Sequence, residues 1–322
     1  MRSTPKGRSV DPIALAEVQA LLGDAPRRPD LLIEHLHKLQ DRYGQLSAAH
    51  LAALAREMRL AQAEVYEVAT FYHHFDVIRE GESSPPGLTV RVCESLSCEM
   101  AGAKDLLAGL PGILGAGVRV IPAPCVGRCE QAPVVVIGQN PLAGATLEGV
   151  RALADAGDKT CDIAAYTGYD QYRAEGGYAL LGECQAGRRE REAIIKTLED
   201  SALRGLGGAG FPAGRKWRIV AAEPAPRLMA VNIDEGEPGT FKDRYYLERD
   251  PHRFLEGMLI AAWAVGIADI YIYLRDEYAG CREILTRELA ALSADPPGLL
   301  PAIHLRRGAG AYICGEESAM IE

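Results

Sequence analysis

Two groups of residues in this chain have the types and spacing for chemistry. Cys93 and Cys98 stand in a C-x4-C pair, and Cys125 and Cys129 in a C-x3-C pair. Further along, residues 204–214 read R-G-L-G-G-A-G-F-P-A-G, with Gly205, Gly207, Gly208, Gly210 and Gly214. Closely spaced thiols ligate metals once deprotonated. Glycines let backbone amides approach a ligand, because no Cβ stands in the way and positive φ is open to them.

Each cysteine pair follows a stretch with strand character, L-T-V-R-V-C before the first and G-V-R-V-I-P-A before the second. The 26 residues between the pairs are enough for one helix and one strand, so a fold can bring four thiolates together. Four thiolates suit two irons sharing two sulfides, or one zinc. Structural zinc more commonly uses C-x2-C knuckles. The wider loops here, with small residues Ser95, Ser97 and Gly127, leave room for a 2Fe-2S core, with zinc or unligated thiols as the alternatives. Cys161, Cys184, Cys281 and Cys314 are scattered, and no C-x2-C-x2-C run exists to build a cubane cluster.

The glycine run matches the dinucleotide fingerprint G-x-G-x-x-G by spacing alone. That fingerprint needs a strand before it and a helix after it. Residues 189–203 instead carry helical apolar spacing at Ala193, Ile194, Leu198 and Leu203, and Phe211-Pro212 disfavours an immediate helix. A nucleotide or flavin loop outside a standard Rossmann turn is expected; a merely flexible loop is the alternative. Two acidic turns offer walls for such a site. One holds Asn232, Asp234, Glu235 and Glu237 in V-N-I-D-E-G-E-P-G, the other Gly315, Glu316 and Glu317. Carboxylates repel phosphate and suit ribityl or ribose hydroxyls, a flavin edge or a nicotinamide amide, with NAD favoured over NADP. Lys216 is the nearby cation. A solvated acidic surface is the alternative reading.

The elements that must position these groups follow from periodicity. Residues 1–27 are polar, with a short helix expected at Pro12–Leu22. Residues 28–80 read as a helical subdomain, with Asp30 and Ser47 as caps for the second and third helices and Gly44 ending the second. His73 and His74 read as ordinary helix-end residues. Residues 86–155 run strand, helix, strand, strand. Residues 156–187, rich in Gly, Asp and Tyr, read as a connector. From 188 to 322 strands and helices alternate, which implies a largely parallel sheet with covered faces. The whole is α/β. At 322 residues with 48% hydrophobic content, the chain can bury two cores. Its net charge of -9 argues against nucleic acid. No apolar run of eighteen residues is present, and the basic N-terminus lacks the apolar core of a secretory signal, so a cytoplasmic location is expected.

These strings together resemble the NADH-oxidising diaphorase module of respiratory complex I and its soluble relatives. Residues 30–140, with A-E-V-Y-E-V-A-T-F-Y and the two cysteine pairs, are similar to the small ferredoxin-type subunit, a thioredoxin-like domain with a helical N-terminal extension. Residues 188–322 are similar to the first part of the flavoprotein subunit. They carry L-R-G-L-G-G-A-G-F-P-A-G-R-K-W, V-N-I-D-E-G-E-P-G-T-F-K-D-R and G-A-G-A-Y-I-C-G-E-E-S. The resemblance implies a 2Fe-2S cluster on Cys93, Cys98, Cys125 and Cys129. It implies FMN held by Gly205, Gly207, Lys216, Asn232, Asp234, Glu235, Gly315, Glu316 and Glu317. It further implies NAD(H) stacked on the flavin, with Phe211 on the adenine side and Glu237 and Glu317 in contact. Complex I keeps the two modules on separate chains. NAD-reducing hydrogenases fuse them, but their ferredoxin-like segment has usually lost cluster cysteines; a diaphorase subunit of either complex is the alternative. Fusion with all four cysteines, and Leu206 where many complex I members have Arg, most resembles the β subunit of NAD-dependent, metal-containing formate dehydrogenases. The expected partner is then a molybdenum- or tungsten-containing catalytic subunit. The family continues past G-E-E-S into a 4Fe-4S region, so a C-terminal truncation is expected.

Overall fold

The computed structural model describes residues 8–321. Helices Pro12–Leu22, Leu32–Tyr43, Ala48–Met58 and Gln62–Phe71 pack around Val18, Leu36, Leu39, Leu54 and Val65. Asp11 caps the first helix by accepting from the amides of Ile13 and Ala14, and Ser47 caps the third through the His50 amide. Gly44 ends the second helix in the left-handed conformation. Asp30 does not cap that helix. It lies inside a 3-10 turn, Pro29–Leu31, and its carboxylate pairs with Arg28 and Arg306 instead.

The cysteine-bearing unit is a four-stranded sheet in the order Val118–Ala123, Leu88–Cys93, Val135–Ile137, Asn140–Leu142, parallel across its first pair and antiparallel thereafter. The helix expected as one piece after Cys98 is two, Leu96–Met100 and Ala103–Leu114. Gly102 at φ 96° breaks the run. Val90, Val92, Leu110, Val135, Ile137 and Val150 fill its core.

The C-terminal unit carries a three-stranded parallel sheet, Arg227–Ile233, Ile267–Leu274, Ala302–Arg307. Helices Pro251–Val265 and Ala279–Ala294 bury Leu255, Leu259, Cys281, Leu285 and Leu292 in its core. Residues 156–187, expected as a connector, are drawn into this core. Helices Tyr169–Ala174 and Ala179–Gln185 place Tyr169, Tyr178 and Leu181 inside it. Their anchors are two buried carboxylates: Glu256 accepts from the Tyr172 hydroxyl and the Tyr178 amide, and Glu288 from the Tyr166 hydroxyl and the Tyr169 amide. Anchoring by single tyrosines leaves no helical period in the sequence.

The helical unit is clamped onto the end of the last strand. His37 Nε2 donates to the Gly308 carbonyl at 2.7 Å, and His74 Nδ1 pairs with Asp276 at 2.7 Å. Arg307 links Asp276 at 2.6 Å to Asp41 at 2.6 Å. Among the described residues this is the one group where three His, Cys or acidic ligand atoms lie within 4.8 Å of one another. Two guanidiniums, Arg282 and Arg307, already share Asp276, so the group is an ion-pair clamp rather than a cation site. Asp276 is held well below the usual carboxylate range: burial opposes its charge, and His74 and Arg307 overcome that.

Burial, with Arg307 beside it, pushes His37 down to about 2. The folded form therefore refuses a proton that the unfolded chain takes near pH 6.5, so this group's stabilisation is complete above that pH and declines below it. From pH 7.5 to 5.5 the protein should lose about 1.4 kcal/mol through His37. His37→Gln keeps the N–H donor and should flatten that part of the slope in urea melts. An unchanged pH slope in the variant would contradict the clamp.

Candidate functional site

Cys93 ends one strand and Ala123, its register partner, ends the next, so the loops bearing both cysteine pairs leave the sheet at the same end. The thiols form a chain of neighbours. Cys98 pairs with Cys93, Cys93 with Cys125, and Cys125 with Cys129 at 3.4 Å. Cys93, Cys98 and Cys125 are buried and Cys129 is partly exposed. The neighbouring Cys93 thiol and burial push the Cys125 thiol far above its ordinary value. The fold thus gathers four thiols at one end of the sheet, two from each loop, a donor set that suits a 2Fe-2S core.

The glycine loop is closed at its base. The Gly205 amide donates to the Phe211 carbonyl at 3.0 Å, and the Ala213 amide to the Leu203 carbonyl at 2.8 Å. Gly208 and Gly210, at φ 84° and 58°, need the freedom of glycine. At Gly207, Gly208 and Gly210 a side chain would meet no protein atom within 4 Å, so this rim is open to a ligand. The helix before the loop is as expected, Arg191–Asp200. The absence of a helix after it is not: Ala213–Ala222 begins at once, with Pro212 as its N-cap. Proline restricts the residue before it, Phe211, and leaves the chain beyond free to coil. Gly214 is not on the rim. A Cβ there would sit 2.6 Å from the Glu199 backbone, so it permits close helix–helix packing. Lys216 lies exposed in the first turn of the new helix, and Phe211 is 43% exposed beneath Arg215.

The two acidic turns meet. Asn232 Nδ2 donates to the Gly315 carbonyl at 2.8 Å, and Asn232 Oδ1 accepts from the Asp234 amide at 3.0 Å. Glu237 accepts from the Tyr312 hydroxyl at 2.7 Å. Asp234 Oδ2 is buried with no hydrogen-bond partner, and burial pushes the carboxyl up to about 6. An orphaned acceptor of this kind awaits a donor. Glu316 is turned to its own chain, accepting from the Ser318 amide and hydroxyl, while Glu317 is exposed.

Glu235 is the member of the expected flavin wall that faces elsewhere. It is 6% exposed, and its carboxylate accepts from the Asp243 amide at 3.0 Å and the Tyr278 hydroxyl at 2.9 Å. This buried knot abuts the cysteine loop. Tyr278 packs against Gly127, Arg244 Nε donates to the Gly127 carbonyl at 3.0 Å, and Arg275 bridges the carbonyls of Glu235 and Cys125. The Gly239 amide donates to Cys129 Sγ at 3.1 Å. Gly239 and Arg244 lie within the string V-N-I-D-E-G-E-P-G-T-F-K-D-R but carry no expected role there, and Arg275 and Tyr278 lie in none of the strings. The local signal for Arg275 is a charge directly after the apolar run I-Y-I-Y-L.

Comparison with known proteins agrees with this division. Residues 18–157 match the thioredoxin-like 2Fe-2S ferredoxin family, and residues 198–322 the Nuo51 FMN-binding domain. The chain joins a thioredoxin-like 2Fe-2S domain to an FMN-binding domain. It is 32% identical to the NAD-reducing hydrogenase HoxS subunit alpha of Cupriavidus necator, over 90% of this chain and 54% of that protein. It is 45% identical to the F subunit of the NADH-quinone oxidoreductase of Aquifex aeolicus, over 48% of this chain and 37% of the relative. The crystal structure of an NAD+-reducing NiFe-hydrogenase in the H2-reduced state superposes with a TM-score of 0.73 at 28% identity. That match covers 92% of this chain and 54% of the other. The chain thus spans about half the length of the hydrogenase relatives, and a smaller share of the quinone-reductase relative.

Glu235→Ala strips the partner from the Tyr278 hydroxyl and two amides, and should cost about 3 kcal/mol, as buried donors lose their acceptor. Glu235→Gln, which keeps one acceptor oxygen, should cost less. Equal, small losses in denaturant melts would place this carboxylate outside the buried knot.

Proposed function

We propose that the chain is an electron-transfer subunit of an NAD(H)-linked oxidoreductase. The observation that carries this reading is the hydrogen bond from Gly239, in the acidic turn of the FMN-binding domain, to Cys129 Sγ. On this reading, a wall of the flavin site lies against a cluster ligand. FMN exchanges a hydride with NAD(H) and passes electrons singly, and a 2Fe-2S cluster accepts one at a time.

The protein's part is binding and orientation. The amides of Gly207, Gly208 and Gly210 on the open rim, with Lys216, are suited to the flavin phosphate, while the Gly205 amide closes the base of the loop on the Phe211 carbonyl. Asn232 and Gly315 fix the two turns to each other, and Asp234 offers its unpartnered oxygen to a hydroxyl or ring N–H. Glu237, Glu317 and Phe211 would contact the nicotinamide nucleotide, whose unphosphorylated ribose these carboxylates favour. Glu235 and Gly214 act from behind, the first by holding the turn to the cysteine loop and the second by seating the helix after the glycine loop.

The hydrogenase and complex I relatives support a place in a multi-subunit redox complex. Retention of all four cysteines on a fused chain favours, within that class, a partner with a molybdenum- or tungsten-containing formate dehydrogenase site. No described helix is long and apolar enough to cross a membrane. Eight cysteines without a disulfide suit the reducing cytoplasm.

The purified chain, supplied with FMN, iron and sulfide, should bind flavin, carry about two irons and two sulfides, and reduce an artificial acceptor with NADH. Cys125→Ser should lose the cluster's visible and EPR signals while FMN binding persists. A chain that holds the cluster but neither binds FMN nor oxidises NADH would instead be a non-catalytic iron–sulfur module. Zinc in place of iron would contradict the reading outright.

A further inference from the structure

Three groups of the FMN-binding domain reach the Cys125–Cys129 loop. The Gly239 amide donates to Cys129 Sγ, Arg275 Nη2 to the Cys125 carbonyl, and Arg244 Nε to the Gly127 carbonyl. Arg275 is 4% exposed and Arg244 3%, so water screens neither charge effectively. Arg244 is matched by two carboxylates, Glu130 and Glu248. Arg275 is matched by one, Glu277 at 3.1 Å.

We infer that the FMN-binding domain sets the reduction potential of the cluster held by the neighbouring domain, with Arg275 as the controlling residue. The inference rests on the 2Fe-2S reading. Reduction adds one negative charge to the iron–sulfur core and its thiolates. Hydrogen bonds to the sulfurs and nearby positive charge stabilise that added electron and raise the potential. Arg275 is a buried cation with a single carboxylate in contact, and it lies against the backbone of one ligand, whereas Arg244 and Arg128 are matched by Glu130 and the Glu248 they share. Glu277 offsets it, so the two side chains act with opposite sign. Arg275 is a positioning residue: it acts on the cluster through field and loop geometry.

The test is an EPR-monitored redox titration of the whole chain with its cluster loaded. At the wild-type midpoint, Arg275→Gln should raise the oxidised-to-reduced ratio about tenfold, about 59 mV downward for one electron. Arg275→Lys keeps the charge and should stay close to wild type. Glu277→Gln should move the midpoint upward. A merely structural role would not give shifts of opposite sign from the two neutralising substitutions. Unchanged midpoints with an intact cluster signal overturn the inference. If Arg275→Gln cannot hold a cluster, Glu277→Gln decides alone, an upward shift supporting the inference and no shift overturning it. A wild-type chain that shows no 2Fe-2S signal at all would instead sink the functional reading beneath.

Discussion

Arg275 is the side chain on which the rest of the site depends. It sits at the end of the central strand of the parallel sheet and bridges the carbonyl of Glu235 to that of Cys125. A buried guanidinium must satisfy its donors locally. The turn after one strand and the loop after another are therefore fixed to a single planar group. Glu235, Tyr278 and Arg244 complete the knot, and Gly127, at φ 69° with the Tyr278 ring against it, leaves no room for a side chain. The ligand loop of one domain and the acidic wall of the other are thus one packed object. In the proposed function, electron transfer between two cofactors needs their sites held at a fixed separation, and this knot would supply that constraint.

Much of this was legible in the sequence where periodicity or strict spacing carried it. The cysteine loops, the parallel strands and the Gly44 helix end follow from local pattern, whereas the meeting of the Asn232 and Gly315 turns, far apart in the chain, was implied only by the family resemblance. What escaped was long-range. Residues 156–187 have no period because Glu256 and Glu288, far along the chain, hold them by single tyrosines. Asp30 looked like a cap because its competing partners, Arg28 and Arg306, are found only in the folded arrangement. Glu235 shares its string with Asn232 and Asp234, yet it faces the opposite way, toward a tyrosine 43 positions later. The helix after the glycine loop was missed through applying proline's restriction to the wrong side of the residue.

The helical N-terminal unit has a parallel role. His37, His74 and Asp41 grip the Gly308 end of the last strand, and that strand leads directly into the Gly315 turn. Asp76 of the same unit holds Arg119 of the cysteine-bearing sheet at 2.6 Å. The helical unit therefore ties both domains at a second place, away from the knot. Two separate attachments resist rotation of one domain on the other far better than one.

The Asp234–Arg244 turn and the Cys125–Cys129 loop behave as a single structural unit. Hydrogen–deuterium exchange on the cluster-loaded chain tests it most directly. The amides of Gly239, Asp243 and Arg244 are bonded to Cys129 and Glu235. They should exchange slowly, and should speed up together when Gly127→Ala forces the Tyr278 ring away. Fast exchange of those amides in the intact chain, or exchange indifferent to Gly127→Ala, would contradict the account.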